Sequence, residues 1–172
     1  MRISAFIIAI ASVFLTGCAS IPNTAGEFRD IAKGGHMLLK KPESFVVDRP
    51  LSAVVSTFKK RAPECLVLEA TSQSKPVIGF AGSPRVYATT KPTIVASAEK
   101  MEFYRQLRTI GNMLKEPEGG QYMFLVDATP VDKQKTRIEI YRTAIRSDTL
   151  MEAITGWATG KNMGCPDPAT FM

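Results

Sequence analysis

Two runs decide the fold: Tyr122-Met-Phe-Leu-Val-Asp-Ala-Thr129 and Thr136-Arg-Ile-Glu-Ile-Tyr-Arg-Thr-Ala-Ile145, separated by the polar linker Pro130 to Lys135. In the second run Ile138, Ile140 and Arg142 alternate with Arg137, Glu139 and Tyr141. That is the period-two pattern of a strand with one face buried. Two β-rich runs joined by so few residues pair as an antiparallel hairpin, because a parallel return needs a crossover of roughly a dozen residues or more. The remaining segments must therefore fit around an antiparallel sheet.

Upstream of the hairpin, Glu99 to Thr109 fits two periods. Met101, Phe103 and Leu107 alternate with Glu102, Gln106 and Arg108 as in a half-exposed strand, whereas Phe103, Leu107, Ile110 and Leu114 fit a helical stripe. The strand is the better choice, because Phe103 and Tyr104 are adjacent β-formers and Gly111 would lie inside the helix. Arg85 to Thr90 and Thr93 to Ser97 are β-rich on either side of Pro92, so an interrupted or edge pairing is expected. Ser44 to Val47 and Cys65 to Thr71 read as strands, and Ser72 to Gly82 as a polar connection.

Two segments are helical. Leu51, Val54, Val55, Phe58 and Ala62 share one face, with Asp48 expected as N-cap, Pro50 in the first turn and Lys59, Lys60 and Arg61 in the last, before Pro63 stops the helix. The second starts near Asp148 or Thr149, where Glu152 is placed to complete a capping box on Thr149. It turns Leu150, Ala153, Ile154, Trp157 and Ala158 inward and ends at Gly160. The order strand, helix, strands, helix without long parallel crossovers predicts one α+β domain over residues 44–172. We expect an antiparallel sheet of about four to six strands with two helices packed on one face.

The N-terminus is of a different kind. Arg2 precedes the apolar run Ile3 to Leu15, and small residues follow, which is the pattern of a secretory signal peptide. Leu15-Thr16-Gly17-Cys18 resembles the lipobox of bacterial lipoproteins. The resemblance implies cleavage after Gly17, so that residues 1–17 are the signal peptide, with diacylglycerol on the Cys18 sulfur and acylation, for example by palmitate, of the new amino group. An uncleaved span is the alternative, since Ile3 to Ile21 carries no charge. Thr16, Gly17, Ser20 and Pro22 make its second half too polar for that. In this family Ala19, rather than Asp, after the modified cysteine implies sorting to the outer membrane, on the periplasmic side. Residues 18–43 read as the lipidated Cys18 and a flexible tether, interrupted by Pro22, Gly26, Gly34 and Gly35. The order of elements in the folded part is also similar to the helix-grip arrangement of some small outer-membrane lipoproteins, a likeness of order alone.

Cys65 and Cys165 remain, an even number for an oxidising compartment, and a bridge between them is expected. It would close a loop of about 100 residues, worth roughly 4–5 kcal/mol in the chain-entropy description. Two unpaired thiols, with Cys65 packed as a small hydrophobe, are the alternative.

Catalytic chemistry finds little to use. The single histidine, His36, lies in the tether segment, which argues against a Ser-His-Asp or Cys-His unit and against a His-rich metal site. Gly156-Trp-Ala-Thr-Gly160-Lys161-Asn162 looks like a phosphate-binding loop but is one residue short between its glycines and ends in Asn. Asp127 and Glu139 face each other across the hairpin, and an acid/base pair is the less economical interpretation of them.

The net charge of +6 falls to +5 once Arg2 is removed. Lys133, Lys135, Arg137, Arg142 and Arg146 make the hairpin the most basic part, read first as a solvated sheet face, with anionic headgroups or cell-wall polymers as the alternative and nucleic acid excluded. The expectation is a non-enzymatic envelope lipoprotein without cofactor or metal, acting on a protein partner. The alternative is a binder of a small apolar ligand or lipid in a cavity lined by Met151, Ile154 and Trp157.

Overall fold

The computed structural model describes residues 21–72, 85–110, 116–145 and 147–171. Their order is α1 (Ala25–Lys33), β1 (Glu43–Val47), α2 (Leu51–Leu66), β2 (Leu68–Ser72), β3 (Arg85–Ala96), β4 (Met101–Thr109), β5 (Gln121–Pro130), β6 (Thr136–Arg142), α3 (Asp148–Thr159) and a 3-10 turn over Pro168–Thr170. The six strands form one sheet in the order β1-β6-β5-β4-β3-β2, with every pairing antiparallel. The expected α+β architecture is thus present, and the hairpin β5–β6 sets Asp127 opposite Glu139.

One face of the sheet carries the main core. Met101, Phe103, Phe124, Val126, Ile138 and Ile140 meet Val54, Phe58 and Ala62 of α2 and Leu150, Ile154 and Trp157 of α3. Phe58 stands at the centre, edge-on to Phe103 at 5.5 Å and to Trp157 at 6.1 Å between ring centroids. Such tilted aromatic pairs add about 0.5–1.5 kcal/mol beyond the area they bury. These are the two helices expected on one face.

The opposite face is covered too, and this corrects the expected tether. Residues 25–33 form α1, whose Phe28 and Ala32 are buried against Leu125 and Tyr141, with Ala25, Leu39, Tyr104 and Tyr122 around them. Thr24 caps the helix: the Glu27 amide donates to Thr24 Oγ1 at 3.1 Å, and the Asn23 amide donates to Glu27 Oε2 at 2.7 Å. This satisfies donors that a helix start otherwise leaves open. After α1 the chain pairs again, since Leu39 bridges Thr143 and the Lys40 amide donates to the Arg142 carbonyl.

Other boundaries shift for local reasons. α2 runs through Pro63 to Leu66, so Lys59, Lys60 and Arg61 are not in its last turn. Burial of Cys65 and Leu66 holds the extra turn in place against the lost proline donor. Pro50, not Asp48, occupies the N-cap position, without a side-chain hydrogen bond. β3 is continuous across Pro92, but β2 pairs it only up to Thr90, so Pro92 lies where β3 has β4 on one side only. A proline without its N–H fits such a position. At α3, Ser147 is the N-cap and makes no capping hydrogen bond; its hydroxyl donates to the Thr143 carbonyl and accepts from Arg142 instead, replacing the expected Thr149–Glu152 box. The Ser72–Gly82 connection lies almost wholly outside the described residues.

Candidate interaction surface

The richest polar cluster lies between α1 and the sheet. Glu102, Asp127 and Glu139 occupy one lateral row across β4, β5 and β6, because Glu102 pairs in register with Asp127 and Asp127 with Glu139. Three carboxylates side by side repel unless cations intervene. Arg29 of α1 supplies one: its Nε donates to Asp127 Oδ2 at 2.8 Å, and its Nη2 donates to Asp127 Oδ1 at 2.7 Å and to Glu102 Oε1 at 2.9 Å. Lys100 supplies another, donating to Glu102 Oε1 at 2.6 Å and lying 3.6 Å from Asp127 Oδ2. Burial opposes the Arg29 charge, yet the hydrogen bond to Asp127 and the two carboxylates raise its pKa above the ordinary value.

The row is organised by its cations. A general acid needs a carboxyl raised by burial or by an unpaired like charge. Glu102 moves the other way, held below the usual carboxylate range chiefly by the hydrogen bond from Lys100. Tyr141, beneath α1, is pushed up to about 12 by burial and by the charge of Glu139, whose Oε2 accepts its hydroxyl at 3.4 Å. Lys33 lies 5.8 Å from the centroid of the same ring. The row fastens a helix to a sheet.

Two further arginines work within the fold. Arg142 donates to Glu43 Oε1 through Nη2 at 2.8 Å, and to Ser147 Oγ and Asp148 Oδ1 through Nη1, tying β6 to β1 and to the start of α3. It therefore belongs to an ion-pair network rather than to a free basic face. Arg105 points into the main core, 2% exposed, with its Nη2 donating to the Phe171 carbonyl at 3.3 Å and its guanidinium 4.9 Å from the Phe171 ring. Burial lowers its pKa to about 10.

The Cys65–Cys165 disulfide forms, with 5.1 Å between Cα atoms, and joins the end of α2 to the segment after α3. Cys18 lies outside the described residues. Ile154 and Trp157 are fully buried in the main core, and Met151 is half-buried against it, so all three pack among this chain's own side chains. Gly160 ends α3 with a left-handed φ of 81°, which explains the apparent phosphate loop as a helix terminus. Gly156 of the same motif is a contact point, for a Cβ there would collide with Met163. His36 follows α1, and its Nδ1 accepts from the Leu38 amide at 3.3 Å. Among the described residues no group of three or more His, Cys, Asp or Glu could hold a metal ion, and no helix is long and apolar enough to cross a membrane.

Sequence reasoning missed Arg29 and α1 altogether. Two signals were present: Thr24-x-x-Glu27 at a helix start, and Ala25, Phe28 and Ala32 at helical spacing. No protein-family model matches the chain, and no curated protein is significantly similar to it.

Proposed function

We propose that this chain is a bacterial lipoprotein of the outer membrane, anchored through Cys18 on the periplasmic side, whose domain is a non-enzymatic interaction or assembly module. The observation that carries the proposal is the use of the cysteines. The chain has three; the bridge takes Cys65 and Cys165, and the third stands at the lipobox position of Leu15-Thr16-Gly17-Cys18. A bridge of this kind suits an oxidising compartment. More than one acyl chain on one cysteine meets the requirement for stable attachment.

The charged groups support a binding role over catalysis. Glu102 and Asp127 are taken up by Arg29 and Lys100, and Arg142 by Glu43 and Asp148. The interaction reading ranks above a small-ligand binder because Trp157 and Ile154 have their neighbours in Phe58 and the sheet. Two measurements test the proposal. Metabolic labelling with palmitate should label the wild-type chain and not the Cys18→Ser variant. Chemical crosslinking in intact membranes, followed by affinity purification, should return a defined envelope protein; a labelled chain that crosslinks to nothing sinks the interaction reading alone.

A further inference from the structure

The finding of α1 changes the length of the leash. Between Cys18 and the N-cap Thr24 there are five residues, and the six steps from one to the other reach at most about 20 Å when fully extended. The leash enters the fold at a defined place. α1 begins over Tyr122, whose hydroxyl meets the Ala25 backbone and whose ring lies 6.4 Å from that of Phe28. Tyr122 is the second residue of β5, so the anchor leads to the end of the sheet where β5 begins. The other end of β5, at Pro130, is a strand of ten residues away, about 33 Å.

That near end also carries the bulkier of the exposed apolar side chains. Among the described residues the large exposed hydrophobics at this end are Met37, Leu38, Tyr87, Ile110 and Ile145, whereas those elsewhere, Val46, Val67, Val95 and Val131, are all smaller valines. The pairings place them together. The Ala144 amide donates to the Leu38 carbonyl, Thr143 donates to Met123 near the start of β5, and the Ile110 amide donates to the Tyr87 carbonyl. Met37 and Ile145 are 84% and 65% exposed. Exposed Lys40, Lys41 and Arg108 stand beside them, with Glu118 on the β4–β5 connection as an exposed acid at the same end.

We propose that this end of the sheet rests on the bilayer that holds the anchor, with Met37 and Ile145 entering the boundary between headgroups and acyl chains and the lysines meeting anionic headgroups. The inference rests on lipidation of Cys18. A leash this short holds the sheet end near the lipid continuously, so weak apolar and electrostatic contacts suffice at high effective concentration. The far end, with the Val131–Lys135 turn, then faces away from the membrane.

The test uses the full-length acylated protein in phosphatidylethanolamine/phosphatidylglycerol vesicles, with a bimane probe on Met37→Cys or on Val131→Cys. Mass spectrometry first establishes the lipid on Cys18. Lipids spin-labelled near the headgroup should quench the probe at position 37 at least threefold more than at position 131. Adding Ile145→Asp should reduce that quenching. A chain without lipid on Cys18 overturns the lipoprotein reading and this proposal with it. A lipidated chain quenched equally at both positions overturns this proposal alone. Shielding of position 37 that follows protein density instead of spin-labelled lipid would assign the surface to a second copy, and likewise overturns it.

Discussion

Arg29 and Asp127, 98 residues apart in the chain, meet through two hydrogen bonds of 2.8 and 2.7 Å that hold the first helix on the sheet. Both side chains are largely out of solvent, at 15% and 7% exposure. Removing one partner of such a pair strands a buried charge and costs about 3–5 kcal/mol, more than the intact pair contributes. Asp127→Ala should therefore lower stability in urea unfolding far more than Glu139→Ala, whose carboxylate accepts a 3.4 Å hydrogen bond from Tyr141. Amide exchange should show the loss concentrated in residues 25–33. Equal effects of the two substitutions would remove the clamp from the account.

Acid should loosen the same place. Glu102 has a folded-state pKa below its ordinary 4.5, owing first to the hydrogen bond from Lys100 and, against burial, to Arg29. A depressed carboxyl contributes stability that is fully present above about 4.5 and is lost as pH falls through the lower folded value. The melting temperature of the wild type should fall below pH 4.5 more steeply than that of Glu102→Gln. Above pH 6 the two curves should run parallel.

The bridge between Cys65 and Cys165 spans 100 residues of sequence. The double variant Cys65→Ala/Cys165→Ala should lose about 2–5 kcal/mol yet keep its sheet, since Cys65 is one member of a much larger core. Far-UV circular dichroism should be nearly unchanged while the urea midpoint drops. A midpoint within error of wild type would mean that the bridge adds no stability.

Gly156→Ala should cost about 1–3 kcal/mol, because the new methyl collides with Met163 where the chain after α3 folds back on the helix. Met163→Ala alone should cost less, and the double variant should recover part of the Gly156→Ala loss. Strict additivity in that cycle would show that the two residues do not share a contact.

The hairpin, the two core helices and the choice of strand for Met101 to Thr109 were legible because their periods are clean and their apolar faces meet one core. Pro63 misled because proline is a strong local signal, while Cys65 and Leu66 beyond it are held by tertiary burial. α1 was hidden by the glycines around it, although Thr24 and Glu27 mark its start. Arg29 could not be found from its own neighbourhood, since its partners Glu102 and Asp127 come together only through strand register. Arg105 is in phase with Met101 and Phe103 on β4, yet no pattern of residue types foretells a buried guanidinium against Phe171.

The place of α1, ahead of every strand in the chain, has a mechanical consequence. Force applied through the N-terminus reaches this nine-residue helix before any strand. Pulling loads α1 and its contacts with Tyr104, Tyr122 and Tyr141 before it loads the hydrogen-bonded strands. Residues 25–42, released and fully extended, would span about 60 Å. The folded part, stapled between Cys65 and Cys165, would stay intact, so α1 is the element that yields first while the sheet keeps its register.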